Sequence, residues 1–350
     1  MKERTMMKTA ARLLLFVVAV FLVMSVETFA GRPDKAGTSA APMLLIPVGG
    51  RDVALGGAML ASTSGIDAVY YNPGGLAFSD KKSEAMFSHM SYLADIGVEY
   101  LGISSTFEGF GTLAFTLKSL AIGDIDVTTE ANPDGTGETF TPRFSVVGLT
   151  YSKALTDRIG IGLTTNLVSE QIDRVSTSGL SFNFGVQYHN FAGLDGFNIG
   201  VAVKNIGPQM QYDGAGLLRQ GNMDGLLRPT SFYKLVAASA ELPSVIELGV
   251  GYMFAIDDKM MLSAAGLFQN QNFFDDEYKL GLEFSYDKSF FLRGGYDMAP
   301  KAEVDTYIWG PTFGAGISQD FDGLGFTVDY AYQAAKYFGA NHVFTLKLGF

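Results

Sequence analysis

The sequence predicts an all-β fold: a closed, antiparallel transmembrane β-barrel of about fourteen strands with an N-terminal hatch segment in its lumen. Three observations predict it. From Glu84 to the C-terminus, apolar and polar residues alternate with the period of a strand. The connections between these stretches are alternately short and long. The composition is 47% hydrophobic and 13% aromatic but only 17% charged, with 42 glycines, which suits lipid-facing strands joined by tight turns.

The chain begins with a secretory signal. Lys2, Arg4, Lys8 and Arg12 form a basic region, Leu13 to Val26 an apolar run of 14 residues, and Thr28-Phe29-Ala30 a small-residue cleavage site. A membrane-spanning helix needs about 20 apolar residues, so this run is read as cleaved rather than as an anchor. Removal of residues 1–30 takes four of the 25 basic and two of the 36 acidic groups, changing the net charge from −11 to −13. No other stretch has the length of a membrane helix, so a membrane location requires strands.

Residues 31–42 are a small, polar leader. Gly49 to Phe78 then form a nearly uncharged, glycine-rich stretch with neither a helical stripe nor strand alternation, apart from a short helix expected over Asp52–Ser62. Its candidate site residues are Arg51, Asp52, Gly56, Gly57, Asp67, Tyr71, Asn72, Pro73 and Gly74. Small residues suit close packing against a crowded wall, and Asn72-Pro73-Gly74-Gly75 suits a turn into the first strand. The chain therefore divides into a signal peptide (1–30), a leader and hatch (31–83) and a barrel (84–350).

Fourteen strands are expected at 84–92, 97–107, 111–122, 143–154, 159–171, 178–189, 196–206, 243–254, 259–269, 277–286, 289–298, 310–319, 324–334 and 341–350. Leu180, Phe182, Phe184, Val186 and Tyr188 share one face, with Ser181, Asn183, Gly185 and Gln187 on the other. The strands at 97–107, 143–154 and 259–269 leave their faces open. Alternation alone also suits a soluble sandwich. Connection length separates the two: tight turns such as Glu108-Gly109, Asp195-Gly196 and Asp322-Gly323 follow even-numbered strands, whereas the longer connections follow odd-numbered ones, the first odd connection (93–96) alone being short. Short turns on one rim, long loops on the other and an even strand number describe a bacterial outer-membrane barrel. Both the first strand's start and Phe350 then lie on the periplasmic rim. A fourteen-stranded lumen is wide enough to need a plug.

By the same alternation Lys118, Lys204, Glu247, Glu277, Lys279, Glu283, Arg293, Asp329 and Lys347 point into the lumen. Their mixed signs predict ion pairs bracing wall and hatch rather than a one-sign filter. Tyr188, Tyr286 and Tyr332, near strand ends, suit an interfacial aromatic girdle. The longest connection, 207–242, carries Leu217, Leu218, Leu226, Leu227, Phe232 and Tyr233, too apolar for a merely solvated loop, and is a candidate outer-rim surface.

Chemistry-bearing motifs are scarce. The three histidines, His89, His189 and His342, fall on separate strands, and no metalloprotease, nucleophile-elbow or phosphate-loop motif is present. The acidic balance argues against nucleic acid, and the absence of cysteine excludes disulfides and thiolate metal sites. Asp124, Asp126, Glu130, Asp134 and Glu138 crowd loop 123–142 at a density that could hold Ca²⁺ through oxygen ligands, but without calcium-loop spacing the favoured reading is a solvated acidic loop. The expectation is a protein without cofactor, metal or catalytic residues.

Arg51-Asp52-Val53-Ala54-Leu55-Gly56-Gly57-Ala58, followed by Asp67-Ala68-Val69-Tyr70-Tyr71-Asn72-Pro73-Gly74-Gly75-Leu76-Ala77, resembles the N-terminal signature of the PorV/PorQ family, within the FadL-like group of outer-membrane proteins. Asp95 to Gly102, Gly123 to Glu130, Leu155-Thr156-Asp157-Arg158, Asn205-Ile206-Gly207-Pro208 and Val328 to Tyr332 resemble further family segments. Members usually carry Trp and Ala where Tyr71 and Gly74 stand here. The resemblance implies a fourteen-stranded outer-membrane barrel with a lumenal hatch. It also implies two alternative roles: type IX secretion, with secreted cargo proteins or secretion machinery as partners, or a conduit for a hydrophobic small molecule. Outer-membrane lipid is a partner in either case.

Overall fold

In a computed structural model of the chain, residues 35–221, 230–302 and 306–350 are described. The signal peptide lies outside them. Fourteen strands form the barrel: β1 Ser83–Ser91, β2 Gly97–Phe107, β3 Gly111–Ala121, β4 Arg143–Ala154, β5 Ile159–Ile172, β6 Val175–Tyr188, β7 Phe197–Ile206, β8 Val245–Ala255, β9 Met260–Gln271, β10 Glu277–Tyr286, β11 Phe290–Met298, β12 Trp309–Phe321, β13 Leu324–Ala335 and β14 Asn341–Gly349. Each pairs antiparallel with its sequence neighbours, and β14 returns to β1 from Glu84↔Gly349 to Ser91↔His342. Closure leaves no unpaired edge, which the hydrocarbon core demands. All fourteen expected strands are present, with ends moved by up to three residues. The register shifts at two places, β6–β7 between Phe182 and Phe184 and β12–β13 between Trp309 and Thr312.

The three strands whose faces the pattern left open are resolved by burial. In β2, Val98 and Tyr100 are buried inward while Leu101 and Ile103 face out. In β4, Thr150 and Ser152 point inward and Leu149 outward. In β9, Ser263, Ala265 and Leu267 are inward. Small hairpins decorate the long loops, pairing Ile125–Asp126 with Thr139–Phe140, Met210–Gln211 with Ser239–Ala240, and Leu218–Gly221 with Ser231–Lys234.

Residues 40–78 lie inside the barrel and fill it. Met43, Leu44 and Ile46 pack with Met90, Val98, Leu120 and Leu242, all at the long-loop end of the wall, and the Ala40 N–H donates to Glu241 O (2.9 Å). Val48, Ile66, Val69 and Leu76 pack with Met86, Tyr100 and Ala114. At its other end Phe78 lies against His189 beside a short turn, with ring centroids 4.1 Å apart. The segment therefore traverses the lumen from the outer mouth to the periplasmic rim.

The helix expected over Asp52–Ser62 is shorter than the pattern suggested. α1 covers only Gly50–Ala54, and Gly56 (φ 63°) and Gly57 (φ 72°) turn the chain away immediately after it. Such angles strain any residue with a Cβ, so the glycines end the helix. A second short helix, α2 Ala68–Tyr71, leads into a 3₁₀ stretch at Pro73–Phe78. Asn72-Pro73-Gly74-Gly75, expected as a turn into the first strand, opens this 3₁₀ stretch, and Asn72 through Gly75 are all buried.

Candidate functional site in the barrel lumen

Three attachments hold the lumenal segment to the wall. The first is ionic. Arg51, brought inward by α1, places Nε and Nη2 each 3.2 Å from the Glu283 carboxylate of β10. Glu283 also accepts from Arg293 Nε of β11 (2.7 Å), and Arg293 Nη1 reaches Asp329 of β13 (2.6 Å). Lys347 of β14 lies 3.3 Å from Asp329 and 2.5 Å from Asp67. The relay Arg51–Glu283–Arg293–Asp329–Lys347–Asp67 alternates in sign, begins and ends in the lumenal segment, and passes through four wall strands. With three charges of each sign it is neutral as a unit, the condition under which buried ions are tolerated. Asp52, also buried, accepts from Thr63 Oγ1 (3.2 Å).

The second attachment is backbone packing against inward-facing glycines. A Cβ at Gly295 would stand 2.3 Å from Leu55 C and 2.4 Å from Gly56 N, and one at Gly281 2.7 Å from Leu55 O. Gly314 receives Ala54, and Gly200 and Gly249 receive Leu60 and Ala61 in the same way. Glycines in strand interiors often mark close approach of another backbone. Here they accommodate the segment.

The third is a clamp around Asn72. Its Nδ2 donates to Leu60 O (3.1 Å) and Val186 O (3.0 Å), while its Oδ1 accepts from the Gly74 N–H (3.1 Å). Pro73 and Gly74 press on Gly160, Gly162 and Gly185 of β5 and β6; a Cβ at Gly74 would lie 2.8 Å from Gly160 O and 2.9 Å from Gly185 O. This wall accepts the glycine at position 74 and leaves no room for alanine. Beside it Gln187 Nε2 donates to Leu60 O (2.9 Å) and Thr63 O (2.8 Å), and the Tyr71 hydroxyl donates to Val48 O (2.8 Å).

The nine charged residues assigned to the lumen all point inward. Lys204 pairs with Glu247 (2.9 Å) and Lys279 with Glu277 (3.1 Å), completing the bracing that mixed signs predicted. Lys118 instead donates to the carbonyls of Met43 (2.8 Å) and Ile46, holding the outer end of the segment. Sequence reasoning placed Lys118 and Gln187 in the lumen but missed their tasks, because backbone carbonyls leave no pattern. Between segment and wall remains a cavity of about 40 Å³, lined by Lys118, Asn166, Asn183 and Asn205 among others. It has room for about one water, whose share of liquid volume is ~30 Å³.

At the outer rim, Leu218, Phe232 and Tyr233 sit exposed on the Leu218–Gly221/Ser231–Lys234 hairpin, Phe232 at 72%, with Val236 beside it at 83%. Leu217 is half-buried, and Leu226 and Leu227 lie outside the described residues. Lys234 Nζ holds the hairpin to Asp213 (2.7 Å to Oδ2), and this hydrogen bond keeps the Asp213 carboxyl below its usual range. Nearby, burial pushes the Tyr212 hydroxyl up, with Glu170 as its hydrogen-bond partner (2.8 Å). Among the described residues no three His, Asp or Glu side chains converge to hold a metal.

The model of the type IX secretion system protein PorV matches residues 30–232, more than half of the chain, including the whole lumenal segment. The chain belongs to the PorV family. A second model, the type IX secretion system membrane protein PorP/SprF, matches residues 147–348. No curated protein matches significantly in sequence. Among solved structures, the CymD monoaromatic hydrocarbon channel superposes with a TM-score of 0.53 at 12% identity, over 87% of this chain and 98% of that one. The Pseudomonas putida toluene transporter TodX gives 0.54 at 11% identity, over 87% and 97%. These likenesses concern the fold alone. Barrel and family together locate this PorV-family protein in the bacterial outer membrane. Its family and fold are those of secretion and transport barrels rather than of enzymes.

Proposed function

We propose that this protein is a plugged outer-membrane barrel that binds secreted cargo, or the type IX machinery delivering it, at its outer rim. The observation that carries this reading is the contrast between lumen and rim. The lumenal segment is tied to the wall along its length, whereas the outer hairpin leaves Phe232, Tyr233 and Val236 exposed on a paired, ion-anchored scaffold. Exposed apolar groups on an ordered element mark interaction surfaces. Arg51, Asp52, Gly56, Gly57, Asp67, Tyr71, Asn72, Pro73 and Gly74 act in this reading as the plug's attachment points, and residues 31–83 as its unit.

The test is affinity capture from native outer membranes. The wild-type protein is expected to bring down secreted proteins or type IX components, and a Phe232→Ser/Tyr233→Ser variant to lose them while remaining folded. Capture of neither by the wild-type protein would refute the reading.

A second reading, a conduit for hydrophobic small molecules, is favoured by the fold shared with a toluene transporter and a monoaromatic hydrocarbon channel. Against it stands the small volume, about 40 Å³, of the cavity between segment and wall. A conduit requires the segment to move, and uptake of apolar compounds unchanged by deletion of the gene would eliminate it.

A further inference from the structure

The outer wall carries an apolar groove of about 300 Å³ that none of the lumenal attachments uses. It runs across β5, β6 and β7 on the lipid-facing side, with Ile161, Leu163, Phe184, Val186 and Val201 among its lining residues. Inward-facing Gly162 and Gly185 lie in its floor, where the wall is backbone alone, with Pro73 and Asn72 packed against its lumenal side. The register shift between β6 and β7 adjoins it, with Phe184↔Val203 the first pair beyond the irregularity. Such irregularities bend the strand and increase its twist, which opens the surface between neighbouring ridges.

The groove faces hydrocarbon and is apolar, and an unfilled groove would forfeit dispersion contacts on one side. Its height is set by the β4–β5 turn at 155–158, a periplasmic turn, so it belongs to the inner leaflet. A cation stands at the corresponding end. Lys153 is directly paired with Ile161 in the β4–β5 register, is exposed, and points outward on the same face as Tyr151. Its ammonium reaches Gly109 O only at 3.5 Å, and among the described residues no carboxylate forms an ion pair with it. Arg158, the nearby alternative, is already 3.9 Å from Asp157. Tyr151, whose hydroxyl donates to Phe110 O (2.7 Å) and whose ring lies 5.1 Å from that of Phe110, marks the interface level between groove and cation.

We propose that this groove and Lys153 form a binding site for one inner-leaflet glycerophospholipid. One acyl chain lies along Ile161, Val186 and Val201, and the phosphate pairs with the Lys153 ammonium. The site requires both parts: the groove takes an acyl chain, and the cation selects a phosphate-bearing headgroup over a neutral one.

Native mass spectrometry of the purified full-length mature protein tests this, with phosphatidylglycerol, phosphatidylethanolamine or diacylglycerol added in turn. The wild type is expected to retain one phospholipid more strongly than it retains diacylglycerol. Lys153→Gln should lower retention of both phospholipids about five-fold without changing that of diacylglycerol. Val201→Trp, which fills the groove, should remove retention of all three, whereas Leu292→Trp on the far wall should change nothing. Heat-modifiable gel mobility confirms that each variant is a closed barrel. Equal phospholipid retention by the wild type, Lys153→Gln and Val201→Trp would overturn the proposal, leaving only a non-specific lipid annulus.

Discussion

Lys347 Nζ lies 2.5 Å from Asp67 Oδ2, joining the last strand of the barrel to a segment that precedes the first. The contact closes a relay that starts at Arg51 and Glu283, so the lumenal segment is gripped at two places by one wall network. A plug held in this way is part of the barrel's stability, not an appendage to it.

Breaking the middle of the relay is therefore expected to be costly. Glu283→Ala leaves Arg51 and Arg293 without their shared partner, and an uncompensated buried charge typically costs about 3–5 kcal/mol. Urea titration followed by heat-modifiable mobility should show that loss, and charge-neutral Arg51→Met/Glu283→Met should recover part of it. An unaltered midpoint for Glu283→Ala would show that the relay contributes nothing.

Adjacent glycines in β11 provide a sharper steric comparison. A Cβ at Gly294 meets nothing nearer than 3.9 Å, whereas one at Gly295 meets Leu55 C at 2.3 Å. Gly294→Ala should be nearly neutral, and Gly295→Ala should cost about 1–3 kcal/mol by overpacking or expel the segment and raise permeability to small antibiotics. Antibiotic sensitivity and urea midpoints of the two strains measure it directly.

The path of the segment predicts its topology. The chain has no cysteine, so single introduced thiols report cleanly. Thr38→Cys, exposed at the outer mouth, should react with a membrane-impermeant maleimide on intact cells. Asp80→Cys, exposed at the opposite rim, should react only after the outer membrane is permeabilised. Labelling of both positions from the same side would mean that the segment does not thread the lumen.

The outer hairpin should loosen in acid. Its hydrogen bond to Lys234 holds the Asp213 carboxyl below the ordinary aspartate value of 3.8, a depressed folded-state value. The anchoring contribution is therefore fully present above that ordinary value and is lost as pH falls through the lowered one. Hydrogen-exchange protection across Leu218–Gly221, taken relative to the intrinsic rate at each pH, should fall in that acid window in the wild type. In Asp213→Asn that protection should be low and should not change across the window.

The barrel was legible because its physics is periodic. Alternation located Leu180 through Tyr188 on the correct faces, and loop parity put Phe350 on the short-turn rim. The charged residues from Lys118 to Lys347 were placed inward for the same reason. What stayed hidden depends on backbone rather than pattern. The carbonyls of Met43 and Ile46 that receive Lys118, and the Leu60 and Val186 carbonyls that receive Asn72, have no signature in side-chain order. Gly56 and Gly57 lie within the expected Asp52–Ser62 helix, and their positive φ, which side-chain order does not encode, ends it at Ala54. One signal of these contacts does stand in the sequence: Gly160, Gly162, Gly185, Gly281 and Gly295 all fall on inward positions, where a strand without a side chain invites another backbone.

The most direct test of the central claim is a photoreactive residue at Phe232 in living cells, with Leu292 on the lipid-facing wall as control. Irradiation is predicted to link position 232 to secreted proteins or type IX components, and position 292 to neither. Absence of protein adducts at position 232, in cells that are actively secreting, would contradict the assignment of the outer rim as a cargo-binding surface.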